Sequence, residues 1–385
     1  MQAGETSWKN PEKIIMSLPL EMLSLHKTVR KHYLSLPKGE ECQVTYVWVN
    51  EDRENLQSKT RTLYNDPAGI RDIPEWYATA ADHTEVTLVP VRMFRDPFTL
   101  DPDKLVLCEL VKSKDLPTGN NQRSQCVTVM DEVKQFQPLF GMEQEYILFG
   151  LDGKHLGWSP DGHQLQEVCG NAVGANKLCG RDISMSHYRA CLYAGVKIFG
   201  SNAEELYSQW EFQVGTCEGI EMGDHLWMAR YILHRVCEDF EVVASLDSKP
   251  IKESTFSSGC HVNFSTKEMR SEGGLQYIEE AIRKLSKRHS LHLSVYDAHG
   301  GADNILRLTG QGCTSTLHHF STAVASREVS VRIPGHVSRM GCGYFEDRRP
   351  VANCDPYPVM RALVETCLLG VTEEDDEEMN EILAS

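Results

Sequence analysis

The chain of 385 residues lacks several features that would place it in a specialised class. Its 13 cysteines form no C-x-x-C pair and no zinc-type spacing, so a disulfide framework or a zinc module is not indicated. No apolar run approaches the length of a membrane span, and the opening residues Met1–Asn10 are polar. We therefore expect no membrane span, no secretory signal, reduced thiols and a cytoplasmic location.

Basic residues are also scarce relative to acidic ones. Lys and Arg total 39 against 55 Asp and Glu, a formal charge of −16, which disfavours non-specific binding to nucleic acid. Part of this charge lies in the run Glu373–Glu378, which we interpret as a solvated tail. With 41% hydrophobic and 24% charged residues, the composition is that of a globular protein long enough for two domains.

Hydrophobic patterning divides the chain into a β-rich part followed by a part with strong helices. Gln43–Val49, Val86–Pro90 and Leu105–Val111 are typical of strands and indicate a small, mostly β domain. The stretch Lys112–Arg123 contains Pro, Gly and two Asn residues, which favours a linker. Residues 1 to 40 contain only a weak amphipathic pattern, with Leu18, Met22 and Leu25 at helical spacing.

Two helices are predicted in the second part. Asp224 can cap a helix that runs through Asp239, because the apolar residues between them follow helical spacing. Leu275 to Leu285 has the same periodicity, and the basic residues from Lys284 to Arg288 suit a helix C-terminus. The apolar faces of both helices are expected to lie in the core.

Carboxylates occur at alternate positions of several predicted strands. Glu143 and Glu145 share one face of a strand, where two negative charges roughly 7 Å apart would be compensated by a cation. Alone, such a pair is usually a solvated face. His261 shares a face with Asn263 and Ser265, whereas the adjacent Cys260 faces the other way and is expected to be a packed residue rather than a nucleophile.

Taken together, these segments predict a metal site with an anionic substrate. Oxygen ligands with one imidazole suit hard divalent cations such as Mg²⁺ or Mn²⁺. Arginines suit phosphate and carboxylate oxygens, so phosphoryl chemistry is indicated. The candidate metal ligands are Glu143, Glu145, Glu204, Glu211, His261 and Glu346, and the candidate arginines are Arg307, Arg327, Arg332 and Arg348.

Around these positions the sequence contains KTRTL (59–63), MFRDPF (93–98), FGMEQEY (140–146), GRDI (180–183), QWEFQ (209–213), RLTG (307–310) and GYFEDRRPVANCDP (343–356). These segments resemble the glutamine synthetases of the eukaryotic type. The similarity is dense from about residue 41 to 370. The resemblance implies an α+β fold, with an N-terminal β-grasp-like domain and a C-terminal catalytic α/β domain built on a curved antiparallel sheet. It implies an extension at 1–40, the β-grasp-like domain at 41–116, the catalytic domain at 117–370 and an acidic tail at 371–385.

The resemblance also implies roles for individual residues. One metal site would use Glu145, Glu204 and Glu211, and the other Glu143, His261 and Glu346. Arg327 matches a phosphate-contacting position, and Arg307 and Arg348 match positions that hold the carboxylates of glutamate; these three are the candidate catalytic residues. Contacts to ATP are implied for Glu211, Phe212, Gln213, Val214, Gly215, Thr216, Asn263, Phe264, Ser265, Arg327, Arg332, Tyr344, Phe345 and Glu346.

The activity implied is an ATP-dependent ligation in two steps. ATP phosphorylates the γ-carboxylate of glutamate, and ammonia or another amine then displaces phosphate. The implied partners are therefore glutamate and an amine, with Mg²⁺ or Mn²⁺ as the metal. The family's subunits form rings whose active sites are shared between neighbours, so a ring-shaped homo-oligomer or co-assembly with a related synthetase is expected.

Three departures from the family pattern fall at the amine side and in the glutamate loop. Thr79 stands where the family has an ammonium-binding aspartate after P-E-W, and only a re-threaded loop would let Asp82 replace it. Cys313 stands in place of the flap glutamate, and a thiol, mostly protonated at neutral pH, cannot replace that charge. In residues 254–261 an asparagine and a glycine of the family's N-x-N-G-A-G-C-H loop are absent.

Two functions therefore stay open at this stage. The chain is predicted to be a ligase of the glutamine synthetase type with impaired ammonia-dependent activity. The alternative is a catalytically inactive paralogue that binds ATP and metal and acts as a structural or regulatory subunit.

Overall fold

The computed structural model describes residues 32–80, 82–112, 122–158, 170–252 and 254–370. The chain divides into two compact units, Met1–Gly39 and Glu40–Ser385. In the first unit, residues 32–34 form a turn of helix and the described residues are exposed. The expected amphipathic turn at residues 18–25, most of the Lys112–Arg123 linker and the acidic tail lie outside the described residues.

The second unit opens with a five-stranded sheet in the order β2-β1-β5-β4-β3. Strands β1 and β5 are parallel, whereas the other neighbours are antiparallel. Alternation along β1 buries Val44 and Tyr46 in a small core on one face and Val47 in the main core on the other. The strands are β1 (Cys42–Val49), β2 (Leu56–Leu63), β3 (Trp76–Thr79), β4 (Glu85–Arg95) and β5 (Lys104–Val111), which confirms the predicted β-rich segment.

A second sheet of eight strands is mostly antiparallel. Its order is β11-β12-β13-β10-β6-β8-β7, and β9 pairs with β6. The mixture of this sheet with long helices confirms the predicted α+β class. The strands are β6 (Leu139–Gly150), β7 (Ile198–Ala203), β8 (Gln209–Glu218), β9 (Val242–Ser245), β10 (Cys260–Ser265), β11 (Thr322–Val324), β12 (Val331–Ile333) and β13 (Phe345–Asp347).

Helices complete the second unit and bury one face of the eight-stranded sheet. None of the described helices is both long and apolar enough to cross a membrane. The helices are α1 (Gln122–Glu132), α2 (Arg181–Ala194), α3 (Glu221–Asp239), α4 (Leu275–Lys287), α5 (His289–Val295), α6 (Ala302–Arg307), α7 (Gly335–Met340) and α8 (Pro356–Val364). A π-helical turn, Glu365–Leu369, continues α8, and short 3₁₀ turns span Ile70–Asp72 and Lys134–Phe136.

The prediction that Asp224 caps α3 is wrong. The helix begins three residues earlier, at Glu221, and Asp224 is fully buried inside its first turn. Its carboxylate accepts hydrogen bonds from Arg123 (Nε to Oδ1, 2.7 Å) and from the Tyr357 hydroxyl (2.8 Å), and pairs with Arg92 at 3.1 Å. An aspartate near the start of a helix is typical of a cap in sequence. Here the side chain instead forms ion pairs with arginines from other elements.

This buried network joins strand β4 and helices α1, α3 and α8, so its loss should be costly. We expect Asp224→Ala to lower the free energy of unfolding by about 3–5 kcal/mol, because two arginines lose their buried counter-charge. Urea denaturation measures the loss. Glu238→Ala, which breaks an exposed pair with Arg235, is the matched control and should cost under about 1 kcal/mol. Equal losses in the two variants would contradict this interpretation.

Candidate active site

Three neighbouring strands bring the predicted metal ligands together. In the pairing of β6 with β10, His261 lies opposite Glu143, and in the pairing of β6 with β8, Glu145 lies opposite Glu211. Alternation places Met142, Gln144 and Tyr146 of β6 towards the core, so the two glutamates share the opposite face. The predicted common face of Glu143 and Glu145 is therefore present.

That face borders a cavity of about 240 Å³. Five of the six predicted metal ligands line it, together with all four predicted arginines, Arg307, Arg327, Arg332 and Arg348. Glu346 is fully buried behind this surface and reaches the cluster through His261. Residues that are up to about 200 positions apart in the chain thus form one site.

His261 lies at the centre of the carboxylate cluster. Its Nδ1 lies 3.6 Å from Glu143 Oε2 and 3.6 Å from Glu346 Oε1, and its Nε2 lies 3.9 Å from Glu145 Oε1. These distances are too long for good hydrogen bonds, and the buried Nδ1 has no hydrogen-bond partner among the described residues. Ligand atoms of Glu143, Glu211 and His261 all lie within 4.8 Å of one another, so small side-chain movements would let one divalent cation contact all three.

In the absence of a cation, the charge states of these groups also indicate a metal site. Burial, followed by the charges of neighbouring carboxylates, raises the pKa of Glu211 well above its usual range and raises that of Glu204 to about 8. Burial and then the charge of Arg348 lower the pKa of His261, which keeps the imidazole neutral, the form that binds metals. Buried carboxylates that resist ionisation next to a neutral imidazole fit a divalent cation.

Three of the four arginines are held in fixed positions around the cluster. Arg307 is buried, donates to the carbonyl oxygen of Arg348 (3.0 Å) and has its Nη2 3.2 Å from His261 Nε2. Burial lowers the pKa of Arg307 to about 10, although Glu145 opposes this shift. Arg348 pairs with Glu346 at 2.7 Å, and Arg332 contacts the same carboxylate. The guanidinium groups are therefore preorganised before any anion arrives.

A second cavity of about 500 Å³ shares Glu143 and Gln213 with the first. Most of the predicted nucleotide contacts with accessible side chains line it. Four apolar residues among the predicted contacts have fully buried side chains, so only their backbone could face a ligand: Phe212, Val214, Phe264 and Phe345. The predicted residues that line the second cavity are Gln213, Thr216, Asn263, Phe264, Ser265 and Tyr344.

Sequence reasoning missed several residues that shape the site. Gln209 lines the cavity with Glu211 and Gln213, and the polar alternation of β8 was a sufficient signal for it. Asn202 also lines the cavity and donates to Glu204 at 2.6 Å. The need for glycine at position 259 could not be predicted from its neighbours in sequence. A Cβ at this position would collide with the guanidinium of Arg307 and would lie 2.9 Å from His261 Nε2.

The structure also places the positions that depart from the family pattern. Cys313 is exposed, lines the first cavity and has a positive φ of 61°, and its carbonyl oxygen accepts from Arg348 Nη2 at 3.3 Å. Thr79 is exposed at the end of β3 and does not line the cavity of its own chain. Asp82 accepts from the Thr84 hydroxyl (2.6 Å) and pairs with Lys112 (3.0 Å). Hydrogen bonds from Thr84 lower the pKa of Asp82, which makes it a weaker base.

The raised pKa of Glu204 predicts a pH dependence of the metal-free protein. A carboxyl whose pKa is higher in the folded state binds its proton more tightly there, so folded-state stability falls as the pH rises from about 4.5 to about 8. We expect the thermal midpoint of metal-free wild-type protein to fall between pH 5.5 and 8 more steeply than that of Glu204→Gln. Parallel pH profiles for the two proteins would contradict the assignment.

Comparisons with known proteins point to one family. Residues 122–287 match the family model for the glutamine synthetase catalytic domain. The chain is 54% identical over 358 residues to a glutamine synthetase of Xenopus laevis, an alignment that covers 90% of this chain and 91% of the relative. Glutamine synthetases of Homo sapiens and Gallus gallus are each 53% identical over 361 residues, covering 91% of this chain and 96% of the relative.

Proposed function

The chain belongs to the glutamine synthetase family, and from this premise we propose that it is an ATP-dependent carbon–nitrogen ligase that joins an amine to the γ-carboxylate of glutamate. One observation supports the proposal most strongly. A cavity lined by both the carboxylate–imidazole cluster and four arginines adjoins a second cavity that could hold a nucleotide. Cations and arginines beside a nucleotide suit phosphoryl transfer, which depends on positioning and electrostatic stabilisation.

The residues present fit two divalent cations. Glu145, Glu204 and Glu211 would hold one, and Glu143, His261 and Glu346 the other. When bound, Mg²⁺ or Mn²⁺ would neutralise the oxygens of the transferring phosphoryl group. The unpartnered Nδ1 of His261 and the raised pKa of Glu211 support this assignment, because both groups lack compensation without a cation.

The chain's own residues would orient the substrates. Arg307 and Arg348 would hold the carboxylates of glutamate, and Arg327, which lines the same cavity, would contact the phosphoryl group. Arg332 and the polar residues of the second cavity would bind the nucleotide. The planar, permanently charged guanidinium suits both carboxylate and phosphate oxygens.

We further propose that ammonia is a poor acceptor. No acidic side chain is present at position 79 or 313, so nothing at these positions can hold ammonium or take its proton. Loss of a positioned general base typically lowers a rate by about 10²–10⁴. An organic amine that is partly unprotonated at neutral pH depends less on these carboxylates and is the acceptor class we favour.

A second candidate function is favoured by the exposed thiol in the flap. Cys313 replaces a charge at the rim of the cavity while the metal cluster and arginines stay intact. Such selective loss suits a subunit that binds ATP and metal without turning over, and that modifies a related synthetase by joining its ring.

Several further properties belong to the same proposal. We place the β-grasp-like domain at 41–116 and the catalytic domain at 117–370, and we expect ring-shaped oligomers. A cytoplasmic location is supported by the twelve cysteines among the described residues, all of which are free thiols.

One assay separates the two candidate functions. Purified protein is incubated with glutamate, ATP and Mg²⁺ or Mn²⁺, and with ammonium or one of two amines that are largely unprotonated at neutral pH, hydroxylamine and the organic amine methoxyamine. The γ-glutamyl product is measured by mass spectrometry. The ligase proposal predicts product with at least one organic amine and much less with ammonium. Product with none of them rejects the ligase, and native mass spectrometry after co-expression with an active synthetase then tests for mixed rings.

A further inference from the structure

A second group of metal-ligand-type side chains lies away from the proposed active site. Ligand atoms of Glu54, His299 and Asp303 all lie within 4.8 Å of one another. Glu54 follows strand β1 in the turn that leads to β2, whereas His299 and Asp303 lie just before and at the start of α6. Glu54 and Asp303 are half-buried and His299 is exposed, so the group is open to solvent ions.

The imidazole of His299 is oriented as in many metal sites. Its Nδ1 lies 2.9 Å from Asp303 Oδ2, a distance at which Nδ1–H donates to the carboxylate and leaves the Nε2 lone pair free. A carboxylate that holds the far nitrogen of a ligating histidine is a common feature of metal sites. The free Nε2 faces Glu54 Oε2 at 3.7 Å, too far for a hydrogen bond. Two ligand atoms each about 2.0–2.2 Å from one ion can be this far apart.

Asn353 holds the two carboxylates and leaves one of its own atoms without a partner. Its Nδ2 donates to Asp303 Oδ2 at 2.9 Å and also contacts Glu54 Oε1. The Oδ1 of the same amide is buried and has no hydrogen-bond partner among the described residues. A cation beside the two carboxylates would compensate their adjacent negative charges.

We propose that Glu54 and His299 bind a divalent transition-metal ion of the Zn²⁺ class, with Asp303 orienting the imidazole. Mixed imidazole and carboxylate ligands suit Zn²⁺ and its neighbours in the first row rather than Mg²⁺. With two protein ligands and one nearby carboxylate, the remaining positions would be filled by water. This site is separate from the two cation sites of the proposed activity and does not depend on that activity.

Such an ion would connect two distant parts of the chain. The turn after β1 would be tied to the start of α6, the helix that ends at Arg307. Arg53 already donates to the carbonyl oxygen of Ala298 at 2.8 Å, so the two segments are in contact beside the site. A bound ion would therefore stabilise the segment that positions a glutamate-binding arginine.

A simpler interpretation of the cluster is an ion pair in which protonated His299 bridges both carboxylates. Hydrogen bonding to Asp303 raises the pKa of His299, which suits that interpretation as well. The two interpretations differ in a countable quantity. Only the metal site adds a bound ion to the protein. Only the metal site loses that ion when His299 is replaced by lysine, whose ammonium group carries the charge but does not bind a metal.

The test is a Zn²⁺ titration of the full-length protein after removal of metals with a chelator. A chromophoric chelator competes for the ion under reducing conditions, and bound equivalents are counted for wild type, His299→Lys and Asp303→Asn. Because thiols and the active site also bind Zn²⁺, the measured quantity is the difference between variants. We expect wild type to bind one equivalent more than His299→Lys, and Asp303→Asn to bind that equivalent about 10–100-fold more weakly.

His299→Lys is the matched control, since an ammonium placed between the carboxylates preserves the charge balance of the fold. In the presence of chelator, its thermal midpoint should equal that of wild type. Added Zn²⁺ should raise the thermal midpoint of wild type more than that of His299→Lys. Equal numbers of equivalents with equal affinity in both proteins would overturn the proposal. Should His299→Lys fail to fold, His299→Gln gives the same comparison. His261→Asn, which changes the proposed active site instead, should retain the Zn²⁺ equivalent that depends on His299.

Discussion

Restoring two carboxylates at the amine side should raise ammonia-dependent glutamine formation by about 10²-fold or more. The change is Thr79→Asp combined with Cys313→Glu, which supplies both the missing ammonium ligand and the missing flap charge. A positioned general base typically contributes about 10²–10⁴ and one preorganised contact about 10²–10³, and contributions within one site do not multiply. Glutamine is measured in a coupled or mass-spectrometric assay at saturating glutamate and ATP.

The geometry of the flap favours this outcome. Cys313 already has a left-handed φ of 61° with a Cβ present, so glutamate adds no new kind of backbone strain. The hydrogen bond from Arg348 to its carbonyl oxygen holds the backbone, and the exposed side chain points away from the core. Cys313→Ser, which removes the thiol without adding charge, is the control and should bring no gain. A double variant that binds ATP and Mn²⁺ yet gains nothing would contradict the proposed cause of impairment.

Glu211→Gln should produce two changes of opposite sign. Without metal, the variant should be more stable than wild type. Burial, followed by the charges of Glu143, Glu204 and Glu145, disfavours the ionised form of Glu211, and a neutral amide of the same shape avoids that cost. With Mn²⁺, the variant should gain little or no stability, and metal affinity should fall by about 10²-fold. Differential scanning calorimetry with and without Mn²⁺ measures both effects.

Glu205 provides the matched control for this substitution. It is a neighbouring carboxylate that also lines the cavity but is not one of the proposed ligands. Glu205→Gln should leave both the metal-free midpoint and the Mn²⁺-induced shift close to those of wild type. If Glu205→Gln and Glu211→Gln behaved alike, the stabilisation by Mn²⁺ would reflect general charge neutralisation rather than specific ligands.

Local periodicity predicted the parts of the fold that depend on local order. The strand at Gln43–Val49 and the helix around Leu275–Leu285 have bounds close to those of β1 and α4, and Cys260 is fully buried as expected. The common face of Glu143 and Glu145 follows from the two-residue period of a strand. Each of these features depends on neighbouring residues only.

Features that depend on distant residues could not be found from the pattern alone. The pairing of His261 with Glu143 is a register between strands more than 100 residues apart, and the local pattern of neither strand encodes that register. Asp224 has the local character of a cap but is paired with Arg92 and Arg123 from elsewhere in the chain. Gly259 is required by the guanidinium packed against it, which no local signal encodes.

The proposed function requires that the dispersed carboxylates and one imidazole form a cation site beside a nucleotide pocket. The most direct test is a thermal-shift titration of the purified, folded chain with ATP in the presence and absence of Mn²⁺. We expect ATP to stabilise the protein only together with the cation, by about 2.7 kcal/mol at an ATP concentration 100 times the dissociation constant. A folded protein whose thermal midpoint is unmoved by ATP and Mn²⁺ together would contradict it.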